Sequence, residues 1–317
     1  FKTVLLRAQK AAQSDFSVLI LGESGTGKEI LARTIHRTSQ RSEMNFVDIN
    51  CAAIPDQLID SELFGYERGS FTGAMQTGRN GLFLEAHRGT LFLDEIADAS
   101  LQTQAKLLRV LNEGHFRRVG GTRNVQVDVR IIAATNKNLK QMIAEKSFRE
   151  DLLYRLNTIT IHLPALRERP GDIPLLAEFF LSEHCGRQHR TLQFTEECLE
   201  VLRHYDWPGN VRELKGVVDY LVTMANGPLI EKADLPSFLI PAREGKEQGT
   251  SLADSGEPNE PANFDNQAGL WHKAMREAEL KVLKAVLAQA KNRSIAIQLL
   301  GISRRTFYAK LKQYGLQ

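Results

Sequence analysis

The chain has 317 residues, 42% of them hydrophobic, and a formal net charge of +3, which allows a sizeable core divided over two or more domains. It holds no run of about 18 uninterrupted apolar residues, and its start lacks the basic, apolar, small-residue order of an export signal; both features argue for a cytoplasmic protein. Cys51, Cys185 and Cys198 form no CxxC pair, which fits a reducing compartment, and His184, Cys185, His189 and Cys198 match no standard zinc spacing.

From 16 to 165, short apolar runs (SVLILG, NFVDIN, GTLFLDEI, VRIIAATN, ITIHLP) alternate with helical patterns such as KEILARTIHRTS and LQTQAKLLRVLNE. This alternation predicts a parallel sheet with helices on both faces. The first run leads into GESGTGKE, Gly22 to Glu29, and then a helix, which is the context a phosphate-binding P-loop requires. Gly22, Gly25 and Gly27 let backbone N–H groups close around phosphate oxygens, with Glu23, Ser24 and Thr26 completing the loop. The helix N-terminus adds a favourable dipole and Lys28 reaches the β- and γ-phosphates. A nucleotide with Mg²⁺ is the expected ligand. Glu29 stands where a Ser or Thr hydroxyl usually serves the metal, so coordination leans on water and other carboxylates.

The next run ends in Asn50, and GYERGSFTGA, Gly65 to Ala74, then breaks both helical and strand periods around a single aromatic, Phe71. In isolation it reads as a surface turn whose ring either tucks inward or meets a partner. GTLFLDEI ends a buried strand in two adjacent carboxylates. Asp94 is placed to hold Mg²⁺ through its water shell, and Glu95 to orient and deprotonate an attacking water. The Gly-rich stretch RRVGGTRNV, Arg117 to Val125, is a second candidate loop that supports the first. Asn50 and Asn136 both end strands at the edge where ligands bind in such sheets, and either faces the γ-phosphate or caps the following helix. In FREDLLYR, Arg149 and Arg155 lie six residues apart, about 120° around a helix, so they need not share a carboxylate. They read as fingers for a neighbour's nucleotide or as a solvated face.

From 171 to 240 the pattern is helical only (IPLLAEFFLSEH, TEECLEVLRHY, VRELKGVVDYLVTMA), broken at Trp207-Pro208-Gly209, and suggests a lid. Residues 241–268 hold three Pro, three Gly and six acidic residues with little apolar material, and read as a linker. Residues 269–317 carry ten Lys and Arg against Glu277 and Glu279, a net +8, leaving −5 for the rest. That asymmetry fits a nucleic-acid-binding module. Trp271, Met275, Ala278, Val282, Val286 and Ala290 recur at helical spacing as a core or dimer stripe. A short helix, a turn at Gly301-Ile302 and a second helix capped by Ser303 follow, the layout of a helix-turn-helix. Ile302, Phe307 and Leu311 face inward, leaving Arg304, Arg305, Thr306, Tyr308 and Lys310 for bases and phosphates of double-stranded DNA, with Arg293 and Lys312 on phosphates.

Together GESGTGKE, ELFGYERGSFTGA, GTLFLDEI, FREDLLYRL, LRERPGDI and WPGNVREL resemble the AAA+ ATPase domain of bacterial enhancer-binding proteins, the activators of sigma-54 RNA polymerase. The resemblance covers residues 1–240. It implies an α/β P-loop AAA+ sheet subdomain over 1–170, a helical lid over 171–240, a linker over 241–268, and a separate all-α domain over 269–317 that is similar to Fis-type DNA-binding domains, which work as dimers. It makes Glu29 the usual residue after the P-loop lysine, Asn50 the switch that holds Glu95, Asn136 the sensor, Arg149 and Arg155 trans-acting fingers, and Arg212 the lid sensor arginine. These roles presuppose a ring, commonly a hexamer. Gly69, Ser70, Phe71, Thr72, Gly73 and Ala74 match the family's GAFTGA loop, which touches the sigma factor, with Ser70 in place of alanine. The implied function is ATP-driven conversion of closed sigma-54 polymerase complexes to open ones from an enhancer-like DNA site. A DNA-bound regulator whose assembly alone is nucleotide-controlled, and a remodelling ATPase with another client, are the rival classes. The start at Phe1 rather than Met leaves room for an upstream receiver or sensor segment.

Overall fold

The structure is a computed structural model that describes residues 1–68, 78–188, 191–225 and 227–240, with residues 287, 293, 296, 307, 310, 311 and 314 of the C-terminal region. Two compact units result, Phe1–Arg243 and Glu244–Gln317.

The first unit is built on five strands: β1 (Val18–Leu21), β2 (Phe46–Asn50), β3 (Thr90–Asp94), β4 (Arg130–Thr135) and β5 (Ile159–His162). They form one parallel sheet in the order β2-β3-β4-β1-β5. The apolar runs are continuous because both faces are covered. Alternate side chains enter different cores: Leu19, Leu91, Leu93, Ile131 and Ala133 on one face, Val18, Ile20, Phe92, Ile132, Ala134 and Ile161 on the other. The strands end nearly level, Asn50 opposite Asp94 and Leu21 opposite Thr135, so residues just past them meet at one edge.

Around the sheet lie α1 (Lys2–Ala12), α2 (Lys28–Arg37), α3 (Asp56–Phe64), α4 (Leu101–Glu113) and α5 (Glu150–Leu156). Ser100 caps α4 by accepting from the Thr103 N–H, and Gly114 closes its other end at φ 67°. Two antiparallel pairs, Gly65–Tyr66 with Arg79–Asn80 and His115–Arg117 with Asn124–Gln126, project from this layer. Gly65 is required at its turn: its φ is 71°, and a Cβ would lie 2.4 Å from the Arg79 carbonyl oxygen.

The lid consists of α6 (Asp172–Gln188), α7 (Glu196–His204) and α8 (Asn210–Met224). Its core gathers Leu166, Ile173, Leu202, Trp207, Leu214 and Val218, and the Trp207 indole N–H donates to the Leu202 carbonyl at 2.8 Å. One feature departs from the helix-only reading of 171–240. Gln193–Phe194 pairs in parallel with Leu229–Ile230, a two-residue ladder too short to leave a periodic signal. Among the described residues no helix is long and apolar enough to cross a membrane. In the second unit the described residues include buried Ala296, Phe307 and Leu311.

Candidate functional site

The Gly-rich turn leaves β1 at Gly22 and enters α2 through Gly27, whose φ of 102° is closed to other residues at little strain and whose added Cβ would meet no atom within 4 Å. Lys28, the first residue of α2, is buried, and its Nζ lies 3.1 Å from the Gly22 carbonyl and 3.2 Å from Glu95 Oε1. Glu95 follows β3 with φ 50°, a left-handed conformation for a residue that gains nothing sterically from it. Its second carboxylate oxygen accepts the Asn136 N–H at 3.1 Å, so Glu95 bridges the P-loop lysine and the end of β4. Burial, followed by the neighbouring Glu95 charge, pushes the Asp94 carboxyl above its ordinary range, while Lys28 opposes the shift.

These residues fit a Mg²⁺-nucleoside triphosphate. A buried lysine answered by one carboxylate, an open face at Gly27 and a half-buried aspartate at the adjacent strand end are what a polyanion with its cation needs. Among the described residues no group of three His, Cys, Asp or Glu is placed to hold a metal ion. Glu29 points elsewhere, to Arg33 at 2.9 Å, and Arg33 also binds Asp48.

The lid closes on the other side of the same loop. Arg212 donates to the Ser24 hydroxyl at 3.0 Å, and Val211 N–H to the Gly25 carbonyl at 3.0 Å. Gly25 is obligatory here, since a Cβ would sit 2.3 Å from the Gly209 carbonyl oxygen. Arg167 forms a two-pronged pair with Glu23, its Nη1 2.9 Å from Oε2, and Arg169 donates to the Thr26 carbonyl at 3.2 Å. The fully buried Asn210 ties the arrangement together. Its Oδ1 accepts from Leu166 N–H at 2.8 Å, while Nδ2 donates to Glu23 at 3.1 Å and to the Ser24 carbonyl at 3.0 Å. Arg167, followed by Asn210, holds the Glu23 carboxyl down to about 2. Sequence reading passed over Arg167, Arg169 and Asn210. The available signal was an Asn directly after Trp-Pro-Gly, one of the few residues at ease at positive φ.

The remaining expected site residues are placed as follows. Asn50 accepts the Ala52 N–H at 2.9 Å and so caps Cys51–Ala53, whereas Glu95 is held by Lys28 and the Asn136 backbone. The Asn136 side chain is exposed. Arg149 is exposed and pairs with Asp151 at 2.7 Å; Arg155 caps the Leu111 carbonyl at 2.8 Å. Among the described residues neither arginine touches the P-loop of its own chain. Gly69 to Ala74 lie outside the described residues; the pair Gly65–Tyr66 with Arg79–Asn80 and the pair His115–Arg117 with Asn124–Gln126 are joined. Val119 N–H donates to the Gly65 carbonyl at 2.9 Å, Glu67 N–H to the Val119 carbonyl at 3.1 Å, and Arg118 to Asn80 at 2.6 Å. Arg293 is exposed and Lys310 partly exposed at helical positions, while Ser303, Arg304, Arg305, Thr306, Tyr308 and Lys312 lie outside the described residues.

Sheet order, Gly-rich turn, adjacent carboxylates and helical lid define a P-loop AAA+ nucleotide-binding fold. Residues 1–162 match the family model for the Sigma-54 interaction domain, and the chain belongs to that family. Residues 167–252 match an AAA+ ATPase lid domain and residues 274–314 a bacterial regulatory protein domain of the Fis family. The regulatory protein AtoC of Escherichia coli is 46% identical over 310 residues, 97% of this chain and 64% of AtoC. The formate hydrogenlyase transcriptional activator FhlA of the same organism is 44% identical, over 99% of this chain and 43% of FhlA. The chain thus spans 43% to 64% of the length of these relatives. The crystal structure of NtrX from Brucella abortus in complex with ATP is similar with a TM-score of 0.67 and 34% identity, covering 99% of this chain and 67% of that one.

Proposed function

We propose that the chain is an ATP-hydrolysing transcription activator that acts on RNA polymerase carrying sigma-54. The observation that supports this most is the meeting of Lys28, Asp94 and Glu95 at one sheet edge, beneath a lid, in a chain of the Sigma-54 interaction domain family.

In this reading the backbone amides of residues 24–28 and the Lys28 ammonium take the phosphates of ATP. Mg²⁺, when bound, neutralises charge on the phosphate oxygens, and Asp94 holds it through water. Lys28 then turns from Glu95 to the phosphates, which frees the carboxylate to orient and deprotonate the attacking water. Arg149 and Arg155, both exposed, serve the site of the next subunit in a ring, commonly of six. Asn136 serves as the sensor beside the nucleotide, and Arg212 reports from the lid. Phe71, within the stretch Gly69–Ala74, grips the sigma factor as ATP is hydrolysed. Residues 269–317 dimerise on an enhancer-like DNA site through Arg304, Arg305 and their neighbours.

The test is steady-state ATP turnover together with open-complex formation on a sigma-54 promoter. Glu95→Ala is expected to lower turnover by about 10²- to 10⁴-fold with ATP affinity within a few-fold. Phe71→Ala is expected to keep turnover and lose open complexes. Full turnover in the first variant, or promoter opening indifferent to the second, refutes the reading.

A further inference from the structure

The first turn of α4 carries a polar residue that the reaction as described does not use. Gln104 is 0% exposed, and every hydrogen-bonding group of its carboxamide is engaged. Nε2 donates to the Ala99 carbonyl at 2.8 Å and to the Ser147 carbonyl at 3.2 Å, while Oε1 accepts the Arg149 N–H at 2.9 Å. A buried amide is retained in a hydrophobic layer only if so satisfied, and a satisfied one fixes its partners in space.

The identity of those partners gives the residue its meaning. Ala99 closes the short 3-10 turn Ile96–Asp98 that starts at Glu95, so its carbonyl lies on the backbone leaving the carboxylate pair. Arg149 is the N-cap of α5, with Ser147 and buried Phe148 just before it. A capping residue's own N–H is commonly met by a side chain three residues into the same helix. Here α5 begins Glu150-Asp151-Leu152, and the N–H is instead met from another helix.

We propose that Gln104 is a positioning residue that ties the backbone behind Glu95 to the start of α5, so that presentation of Arg149 to a neighbouring subunit depends on the chain's own nucleotide site. The inference rests on the trans-acting role given to Arg149 above. Without the carboxamide, the Arg149 N–H and the Ala99 and Ser147 carbonyls lose their common partner, and α5 is free to shift. A displacement of about 1 Å in a charge-stabilising group costs about 10²-fold in turnover.

Mixed rings separate this from a merely structural role. Gln104→Met, of similar length and apolar, is expected to keep the fold, checked by thermal unfolding, and to lower ATP turnover about 100-fold. Glu95→Ala subunits still bind ATP but do not turn it over, and they keep the finger; Arg149→Ala subunits have the opposite defect. Mixing those two must restore turnover, and failure there sinks the trans-finger reading itself. With that control in hand, Gln104→Met subunits should recover turnover when mixed with Glu95→Ala and gain nothing from Arg149→Ala. The reverse pattern, or full turnover by Gln104→Met alone, overturns the proposal. Should Gln104→Met not fold, hydrogen exchange at the Arg149 amide of the wild-type chain decides, measured below the assembly concentration. A several-fold change on adding a non-hydrolysable ATP analogue supports the tie, and identical exchange overturns it.

Discussion

Replacing Asn210 by alanine probes the joint between lid and P-loop, and its cost can be worked out group by group. Leu166 N–H loses its acceptor while Leu166 stays fully buried, which costs about 2 kcal/mol for an unpaired buried donor. Ser24 and Glu23 are exposed, so water replaces the Nδ2 bonds in part, and their loss amounts to about 1 kcal/mol together. Residue 210 has φ 52°, where alanine is worse than asparagine by about 1 kcal/mol. The sum is about 4 kcal/mol. Urea unfolding of the whole chain, followed through the buried Trp207 three residues away, measures it. ATP affinity should fall in parallel, because the Ser24 and Gly25 carbonyls that the lid holds belong to the phosphate loop. Asn210→Gly loses the same hydrogen bonds but relieves the backbone, so it should be milder by about 1 kcal/mol. A loss below about 1 kcal/mol for Asn210→Ala, or equal losses for the two variants, refutes the reasoning.

Two further outcomes concern pH. The Glu23 carboxyl is held at about 2, below its usual 4.5, so its stabilising contribution is complete above about 4.5 and is lost as pH falls through about 2. Because Glu23 and Arg167 are both well exposed, the difference between wild type and Glu23→Gln should be about 1 kcal/mol at pH 6 and vanish near pH 2 in urea midpoints. His36 is buried against Thr90, and burial holds its imidazole below the usual 6.5. The unfolded chain therefore takes up the proton first. Stability should decline as pH is lowered past 6.5, and His36→Gln should flatten the urea midpoint between pH 7.5 and 5.5.

The sequence by itself determined the elements whose reasons are local. Five apolar runs bounded by turns become β1 to β5 because a strand buried on both faces needs no alternation, and only such runs fill it. GESGTGKE specifies its own turn through its glycines, and a pair of carboxylates after a buried strand can only emerge at the sheet edge. The place of Lys28, Asp94 and Glu95 at the end of the sheet was therefore legible in the sequence.

What the tertiary structure decided are contacts between groups far apart in the chain, for which no period or spacing leaves a trace. Nothing in the sequence singled out Asn210, the residue after Trp-Pro-Gly, yet its partners are Glu23, Ser24 and Leu166. Gln104 lies within the helical pattern LQTQAKLLRVLNE, with nothing to single it out, yet it binds backbone groups of Ala99, Ser147 and Arg149. The asparagine at the end of β2 had two readings in the sequence, and the folded chain turns it onto the Ala52 N–H while giving Glu95 to Lys28. Local chemistry sets where a strand or turn can be. Which buried polar groups satisfy one another is settled only when the sheet, α4 and the lid come together, because each such group must find its partner or bear the full cost of leaving water.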